Sequence, residues 1–185
     1  KLFFFLLILL SAASLRAQSG MDANISYATF KSDDGGYIEV YLHVVGTSVE
    51  FMPVTDSTRR AVVDVVVLFK QGEQIVKFDK YRLNSPPSAA PADFVDVKRY
   101  ALANGSYQIE VSVDDTYRIG NSKRYDSAFT VNYDQQTLAQ SDIQLVASVK
   151  PVPPGSENSP MAKGGHLFEP LSSNFYDKYD ELLLF

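Results

Sequence analysis

A valine-rich hairpin sequence lies near the middle of the chain. Residues Ala61–Leu83 have the sequence AVVDVVVLFKQGEQIVKFDKYRL. β-Branched residues favour an extended backbone, and a short apolar run bounded by turn residues predicts a strand covered on both faces. The alternating run after Gly72 predicts the hairpin partner of that strand, with one face in water. We therefore predict that this hairpin forms the centre of a β-domain.

Strand-like segments recur on both sides of the hairpin at intervals of about ten residues, with no helical period between them. The other predicted strands are Asn24–Lys31, Tyr37–Val45, Ser48–Phe51, Ala92–Val97, Leu102–Val113, Tyr125–Tyr133, Asp142–Lys150, Leu167–Leu171 and Tyr179–Phe185. Such spacing is typical of an antiparallel sandwich. We therefore predict an all-β protein, with Asp114–Asn121 as a polar loop before the last sandwich strand.

The first residues have the pattern of a signal peptide. Lys1 precedes the apolar run Leu2–Leu10, and Ala17 is a small residue of the kind that a signal peptidase accepts. We therefore assign residues 1–17 to a signal peptide. The apolar run is shorter than the roughly 20 residues that a transmembrane helix needs, so we expect no stable membrane span after cleavage.

Two β-units are predicted after the signal peptide. The sandwich covers residues 22–133, a polar linker covers 134–141, and an incomplete second β-unit covers 142–185. The chain stops within the apolar run Leu182–Phe185. Because domains seldom end on an exposed apolar strand, we interpret this end as a truncation.

Charge and cysteine content limit the classes of function. The net charge is −5, and no dense basic cluster offsets it, which argues against binding to nucleic acid. The chain has no cysteine, so an exported form would have neither disulfides nor a thiol for lipid attachment. An exported protein without cysteine fits a bacterial envelope, in the periplasm or at the cell surface.

The turn at Asn104-Gly105 leads into an alternating strand that contains Tyr107. This arrangement resembles the penultimate strand of immunoglobulin-like and fibronectin type III-like sandwiches, where a tyrosine bonds back to the preceding corner. The Cys…Trp…Cys set of antibody domains is missing. The expected fold is therefore the general sandwich, with Tyr107 at its corner.

Three further stretches resemble the N-terminal part of GWxTD-domain proteins: VVVLFKQGEQIVKFDKYRLNSP, ADFVDVKRYALANGSYQIEVSV and SDIQLVASVK. The resemblance covers roughly Ser26–Phe185 and implies an exported protein of a Gram-negative envelope, with no established activity. The motif that names the family contains Trp, which this chain lacks. If the resemblance holds, that motif lies beyond Phe185.

The best binding candidate is one face of the second predicted strand, formed by Tyr37, Glu39, Tyr41 and His43. Aromatic rings on a sheet face can stack on a sugar or on apolar groups of a protein. The same face could instead pack under a loop, the second β-unit or a neighbouring domain. A carbohydrate-binding role requires the tyrosines to be exposed.

Other polar residues carry weaker signals. Asp64 interrupts the valine run and is either a tuned acid, a solvent-facing residue or a guard against aggregation. His43 and His166 fall in separate units, so they do not predict a zinc site. The pairs Asp33-Asp34 and Asp114-Asp115 could contribute to calcium binding but are also common in turns. We predict no catalytic residues, no metal site and no cofactor.

These observations lead to two expectations. The first is an exported, non-catalytic structural or protein-interaction module of a bacterial cell envelope, whose partner is a protein or another envelope component. The alternative is an accessory or carbohydrate-binding domain of an exported enzyme, whose catalytic part lies beyond residue 185. A glycan partner belongs to the second expectation.

Overall fold

The fold is described from a computed structural model, which covers residues 20–33, 35–134, 136 and 138–171. The strands are β1 (Ala23–Ser32), β2 (Gly35–Val44), β3 (Phe51–Pro53), β4 (Arg59–Gln71), β5 (Gln74–Asn84), β6 (Phe94–Leu102), β7 (Gly105–Asp115), β8 (Ser122–Val131), β9 (Val146–Pro151), β10 (Ala162–Lys163) and β11 (His166–Pro170). A 3-10 turn covers Gly46–Ser48. The predicted signal peptide and the predicted strand Tyr179–Phe185, including Leu182–Phe185, lie outside the described residues.

The strands form three antiparallel sheets. The first sheet has the order β1-β2-β6, and the second has the order β5-β4-β7-β8, with the short β3 beside the beginning of β4. The third sheet, β10-β11-β9, follows them in the chain. The two larger sheets share one hydrophobic core, as expected for a sandwich. The predicted all-β sandwich fold is therefore confirmed.

The valine-rich strand β4 lies inside the second sheet and alternates along its length. Val63, Val65 and Phe69 point into the core and are almost fully buried, whereas Val66 and Leu68 on the other face are half-buried. Val62, which is also on that other face, is only 6% exposed, so the predicted covering of both faces is present only in part. An antiparallel sandwich buries one face of each sheet, and no second layer covers the outer face of β4 within the described residues.

The corner predicted around Tyr107 is present. Its hydroxyl donates a hydrogen bond to the carbonyl oxygen of Ala103 at 2.8 Å, and its ring is buried against Phe129. The bond ties the beginning of β7 to the turn that precedes it. With the strand order, this contact supports the immunoglobulin-like or fibronectin type III-like sandwich.

Tyrosine–aspartate hydrogen bonds join β5 of the second sheet to β6 of the first. Tyr81 donates to Asp96 at 2.7 Å, and Tyr100 donates to Asp79 at 2.9 Å. Burial, followed by the neighbouring aspartates, raises the pKa of both phenols well above its ordinary value. Both tyrosines therefore remain protonated donors, and they close this side of the sandwich.

The segment between the second and third sheets binds the outer edge of β1. Asp142 accepts hydrogen bonds from the amide and hydroxyl of Thr29 at 2.7 Å, and its own amide donates to the Thr29 carbonyl. Ser141 accepts a bond from the amide of Lys31. These contacts satisfy main-chain groups that an edge strand would otherwise expose, and they bring the third sheet next to the first.

Candidate functional site

The face of β2 chosen from the sequence points away from the sandwich core, as its alternation predicts. It does not form an open surface. Glu39 is 0% exposed and Tyr41 is 7% exposed, while Tyr37 and His43 are half-buried. β2 is the central strand of the first sheet, and residues from the C-terminal part of the chain cover it. Stacking on a glycan needs exposed rings, and this arrangement does not provide an open platform.

Glu39 is the centre of a buried charge cluster. Its Oε1 lies 2.6 Å from Nε of Arg99 on β6, and its Oε2 lies 2.7 Å from Nζ of Lys163 on β10. The Tyr41 hydroxyl donates to the same Oε2 at 2.7 Å. Burial, and then the nearby carboxylate of Glu39, raise the pKa of Tyr41, so the phenol stays protonated as a donor. Two cations and one hydroxyl thus satisfy a carboxylate that would otherwise be costly to bury.

Apolar contacts surround this cluster, which we call the Glu39 joint. The Lys163 ammonium lies 4.6 Å from the centre of the Phe30 ring, and Phe30 stacks on Tyr37 at 5.3 Å. Met161 packs against the small cluster that contains Tyr41. Arg99 also donates to the carbonyl of Pro160 at 2.6 Å. The Glu39 joint therefore connects the third sheet and its loop to the first sheet.

The hydrogen-bond partner of His43 is an aspartate and not a nucleophilic side chain. Its Nε2 lies 3.1 Å from Oδ2 of Asp93, whose Oδ1 accepts a bond from the amide of Gly46 at 2.9 Å. In the described structure His43 Nδ1 is buried without a hydrogen-bond partner. An imidazole general base needs a reacting group within hydrogen-bond distance. The observed contacts instead tie the end of β2 and the 3-10 turn to Asp93, the residue just before β6.

The other carboxylates are also accounted for by local contacts. Asp64 is partly exposed and lies 3.0 Å from Nε of Arg82 across the hairpin, which makes it a surface ion pair and not a buried acid. Asp114 pairs with Arg124 at 3.0 Å. Over the residues that the structure describes, no group of three or more His, Asp or Glu side chains is arranged to hold a metal ion. Asp34 lies outside those residues.

A groove of about 390 Å³ lies between the sandwich and the third sheet. Its polar groups include Ser148, which donates to Glu169 at 2.8 Å, and Lys150, whose Nζ lies 3.9 Å from the same carboxylate. Phe94 is the one aromatic residue among its described lining residues, and it is buried. The groove therefore offers no exposed ring on which a sugar could stack.

A second region of interest lies at one end of the sandwich, where the connections β2–β4, β5–β6 and β7–β8 meet. Asp115 organises this end although it is only 6% exposed. Its Oδ1 accepts bonds from the amides of Tyr117 and Arg118, at 3.0 and 3.2 Å. Its Oδ2 accepts bonds from the Glu50 amide at 2.9 Å and from the Asn121 side chain at 3.0 Å. One buried carboxylate thus fixes three parts of the chain.

The same end carries exposed apolar side chains, and we call it the loop end. Ile119 at the tip of the β7–β8 connection is 101% exposed, and Tyr117, Met52 and Val54 are also exposed. The sequence pattern did not point to this region, because it predicts Asp114–Asn121 as a polar loop. The available signal was the isolated pair of apolar residues, Tyr117 and Ile119, inside that otherwise polar segment. Exposed apolar side chains on a preformed frame are typical of a contact surface.

No protein-family model, curated protein or solved structure matches the chain. The resemblance to GWxTD-domain proteins therefore stays a prediction. Among the described residues, no helix combines the length and the hydrophobicity required to cross a membrane.

Proposed function

We propose that the protein is an exported, non-catalytic β-sandwich module of a bacterial cell envelope, which binds a protein or another envelope component through the loop end. The observation that carries this proposal is the exposure of Ile119 at the tip of a connection fixed by Asp115, with Tyr117, Met52 and Val54 exposed at the same end of the sandwich. Interfaces gain most of their affinity from a few apolar anchors. A loop that is already ordered loses little conformational entropy when it binds.

The buried carboxylates support a non-catalytic role. Glu39 is occupied by Arg99, Lys163 and Tyr41, and Asp115 is occupied by four donors of the chain itself. A catalytic acid or base must be able to reach a substrate proton. These two groups serve to join parts of the fold.

Site-specific photo-crosslinking tests the contact surface. A photoreactive residue at Ile119 should give a discrete crosslinked product in cells that make the protein. The matched control is Asp126, an exposed residue on the outer face of β8, away from the loop end. We expect a product at Ile119 and none at Asp126. Equal products at both positions, or none at either, would contradict the assignment of the contact to the loop end.

The export part of the proposal rests on the N-terminal sequence. We expect the mature protein to begin at Gln18, because cleavage after Ala17 follows the predicted signal peptide. Mass spectrometry of the protein recovered from the periplasm or medium measures this directly. Recovery of an uncleaved chain from the cytosol would count against export.

A further inference from the structure

Strand β5 has an open edge in the second sheet. Among the described residues β5 pairs with β4 alone. The amide of Ser85 donates to the carbonyl of Ala61, and bonded and non-bonded pairs alternate along an antiparallel ladder. It follows that the main-chain groups of Phe78, Lys80 and Arg82 point away from β4. These groups can accept another strand.

The same strand exposes apolar side chains. Phe78 is 70% exposed, and Ile75 and Val76 are also exposed. Phe78 lies opposite Leu68 on the outer face of the sheet, and Leu68 is itself only half-buried. Exposed aromatic and branched side chains beside unpaired main-chain groups favour pairing with a further strand.

The charges on β5 decide which partner strand fits. Two copies of β5 can pair antiparallel about a two-fold axis perpendicular to the sheet. The axis then lies midway between the two copies of one residue, and each register is named after that residue. An axis through any charged residue of the strand places that charge opposite itself; these residues are Lys77, Asp79, Lys80 and Arg82. An axis through Tyr81 places Lys80 opposite Arg82. Like charges that face each other across strands are destabilising.

An axis through Phe78 gives a complementary register. It places Lys77 of each copy opposite Asp79 of the other, and the two Phe78 rings face each other. Elsewhere between Gln74 and Arg82 this register opposes no like charges, and a bulge at Val76 interrupts the regular strand on one side of Phe78. Registers centred nearer the two ends of β5 pair much shorter stretches, so among the central residues of the strand Phe78 alone gives a register without opposed like charges.

Existing contacts leave room for these pairs. Lys77 Nζ donates to the carbonyl of Ala101 at 3.1 Å, and Asp79 Oδ2 accepts from Tyr100. An ammonium group has three donors and a carboxylate has two oxygens. Each side chain can therefore keep its present partner and add one across the interface.

We propose that a second copy of this chain docks on the β5 edge, with the two second sheets joined antiparallel about Phe78. Charged residues on edge strands usually prevent unwanted pairing. On β5 the charges disfavour the other central registers, because each of them places like charges opposite each other, and they favour the Phe78 register. A specific interface excludes alternative pairings in this way. The proposal does not depend on binding at the loop end.

A single-cysteine experiment tests the register without interference, because the chain contains no cysteine. In the Phe78 register, Cα atoms of a bonded antiparallel pair lie about 5.5 Å apart, a distance that suits a disulfide. Phe78→Cys should therefore form a covalent dimer under mild oxidation of the purified protein. Lys80→Cys is the control, because its two copies would be separated by about 14 Å along the strands. Dimer from Lys80→Cys but not from Phe78→Cys would overturn the register.

Sedimentation equilibrium tests the association itself. We expect a dimer whose dissociation constant rises about tenfold or more in Lys77→Asp and in Asp79→Lys, since each single change opposes like charges twice. The double exchange should restore the dimer. Phe78→Lys, at an exposed position that leaves the fold intact, should give a monomer. A native protein that is monomeric at high micromolar concentration would refute the proposal, as would single variants that dimerise like the native chain.

Discussion

Lys163→Met is the most informative single change at the Glu39 joint. The substitution keeps most of the apolar stem but removes an ammonium that lies 2.7 Å from the Glu39 carboxylate and 2.7 Å from Gln144 Oε1. Glu39 is completely buried, so it cannot exchange the lost partner for water. Arg99 and Tyr41 remain bound to it.

The size of the effect follows from these contacts. A hydrogen bond to a charged group contributes about 1.5–3 kcal/mol, and a buried charge left wholly unpaired costs about 3–5 kcal/mol. Arg99 still balances the charge of Glu39, and the Lys163 side chain is 28% exposed. The range of about 1.5–3 kcal/mol for a hydrogen bond to a charged group therefore applies. We expect Lys163→Met to lower the free energy of unfolding by about 2 kcal/mol.

Urea denaturation followed by circular dichroism measures this free energy. Lys150→Met is the matched control, because Lys150 belongs to the same sheet but is 69% exposed and lies 3.9 Å from its carboxylate. We expect the control to change stability by less than about 0.5 kcal/mol. In a Glu39→Gln background, Lys163→Met should lower the free energy of unfolding much less than it does in the native chain. An equal loss of stability in both backgrounds, or a loss no larger than that of Lys150→Met, would show that the contact between Lys163 and Glu39 does not stabilise the fold.

Four further predictions follow from individual residues. Asp115→Ala leaves four donors unsatisfied and should lower the free energy of unfolding by about 2–4 kcal/mol, with faster amide exchange in the β7–β8 connection as the second measurement. Tyr107→Phe loses the corner bond and should cost about 1 kcal/mol; an unchanged denaturation midpoint would show that the bond does not stabilise the fold. Burial raises the folded-state pKa values of Tyr81 and Tyr100 above the unfolded value of about 10, so their stabilisation is complete below pH 10 and is lost as the pH rises through the folded values. Denaturation at increasing alkaline pH should show this decrease in stability, and the decrease should be smaller when both tyrosines are changed to Phe. Ile119→Ser should change stability by less than about 0.5 kcal/mol, because the side chain is fully exposed, yet it should weaken crosslinking from a photoreactive residue placed at Tyr117 on the same connection.

Local sequence patterns predict the strands and the corner well. The valines of β4 and the alternation of β2 fix extended structure and the direction of each side chain, because strand periodicity depends on neighbouring residues alone. Tyr107 is also recognisable, since the Asn104-Gly105 turn and the bond to Ala103 lie within a few residues of it. These features require no knowledge of distant contacts.

Contacts between distant segments explain what the sequence does not reveal. Alternation places Glu39 on the outer face of β2, but its partner Lys163 is 124 positions away, so the pattern cannot show that this face is covered. Adjacent Asp114 and Asp115 resemble one acidic cluster in the sequence. Successive residues of a strand point to opposite faces, so Asp114 meets Arg124 on the surface while Asp115 is buried.

Tyrosine nitration of the intact chain, measured residue by residue by mass spectrometry, tests at once whether the loop end is exposed and whether the face of β2 is covered. Tyr117 is exposed at the loop end, whereas Tyr41 is 7% exposed beneath the third sheet. We predict rapid modification of Tyr117 and protection of Tyr41 under native conditions, with both tyrosines modified in urea. Modification of Tyr41 at the rate of Tyr117 in the folded protein would contradict this prediction, because the face of β2 would then be open and the Glu39 joint would not form.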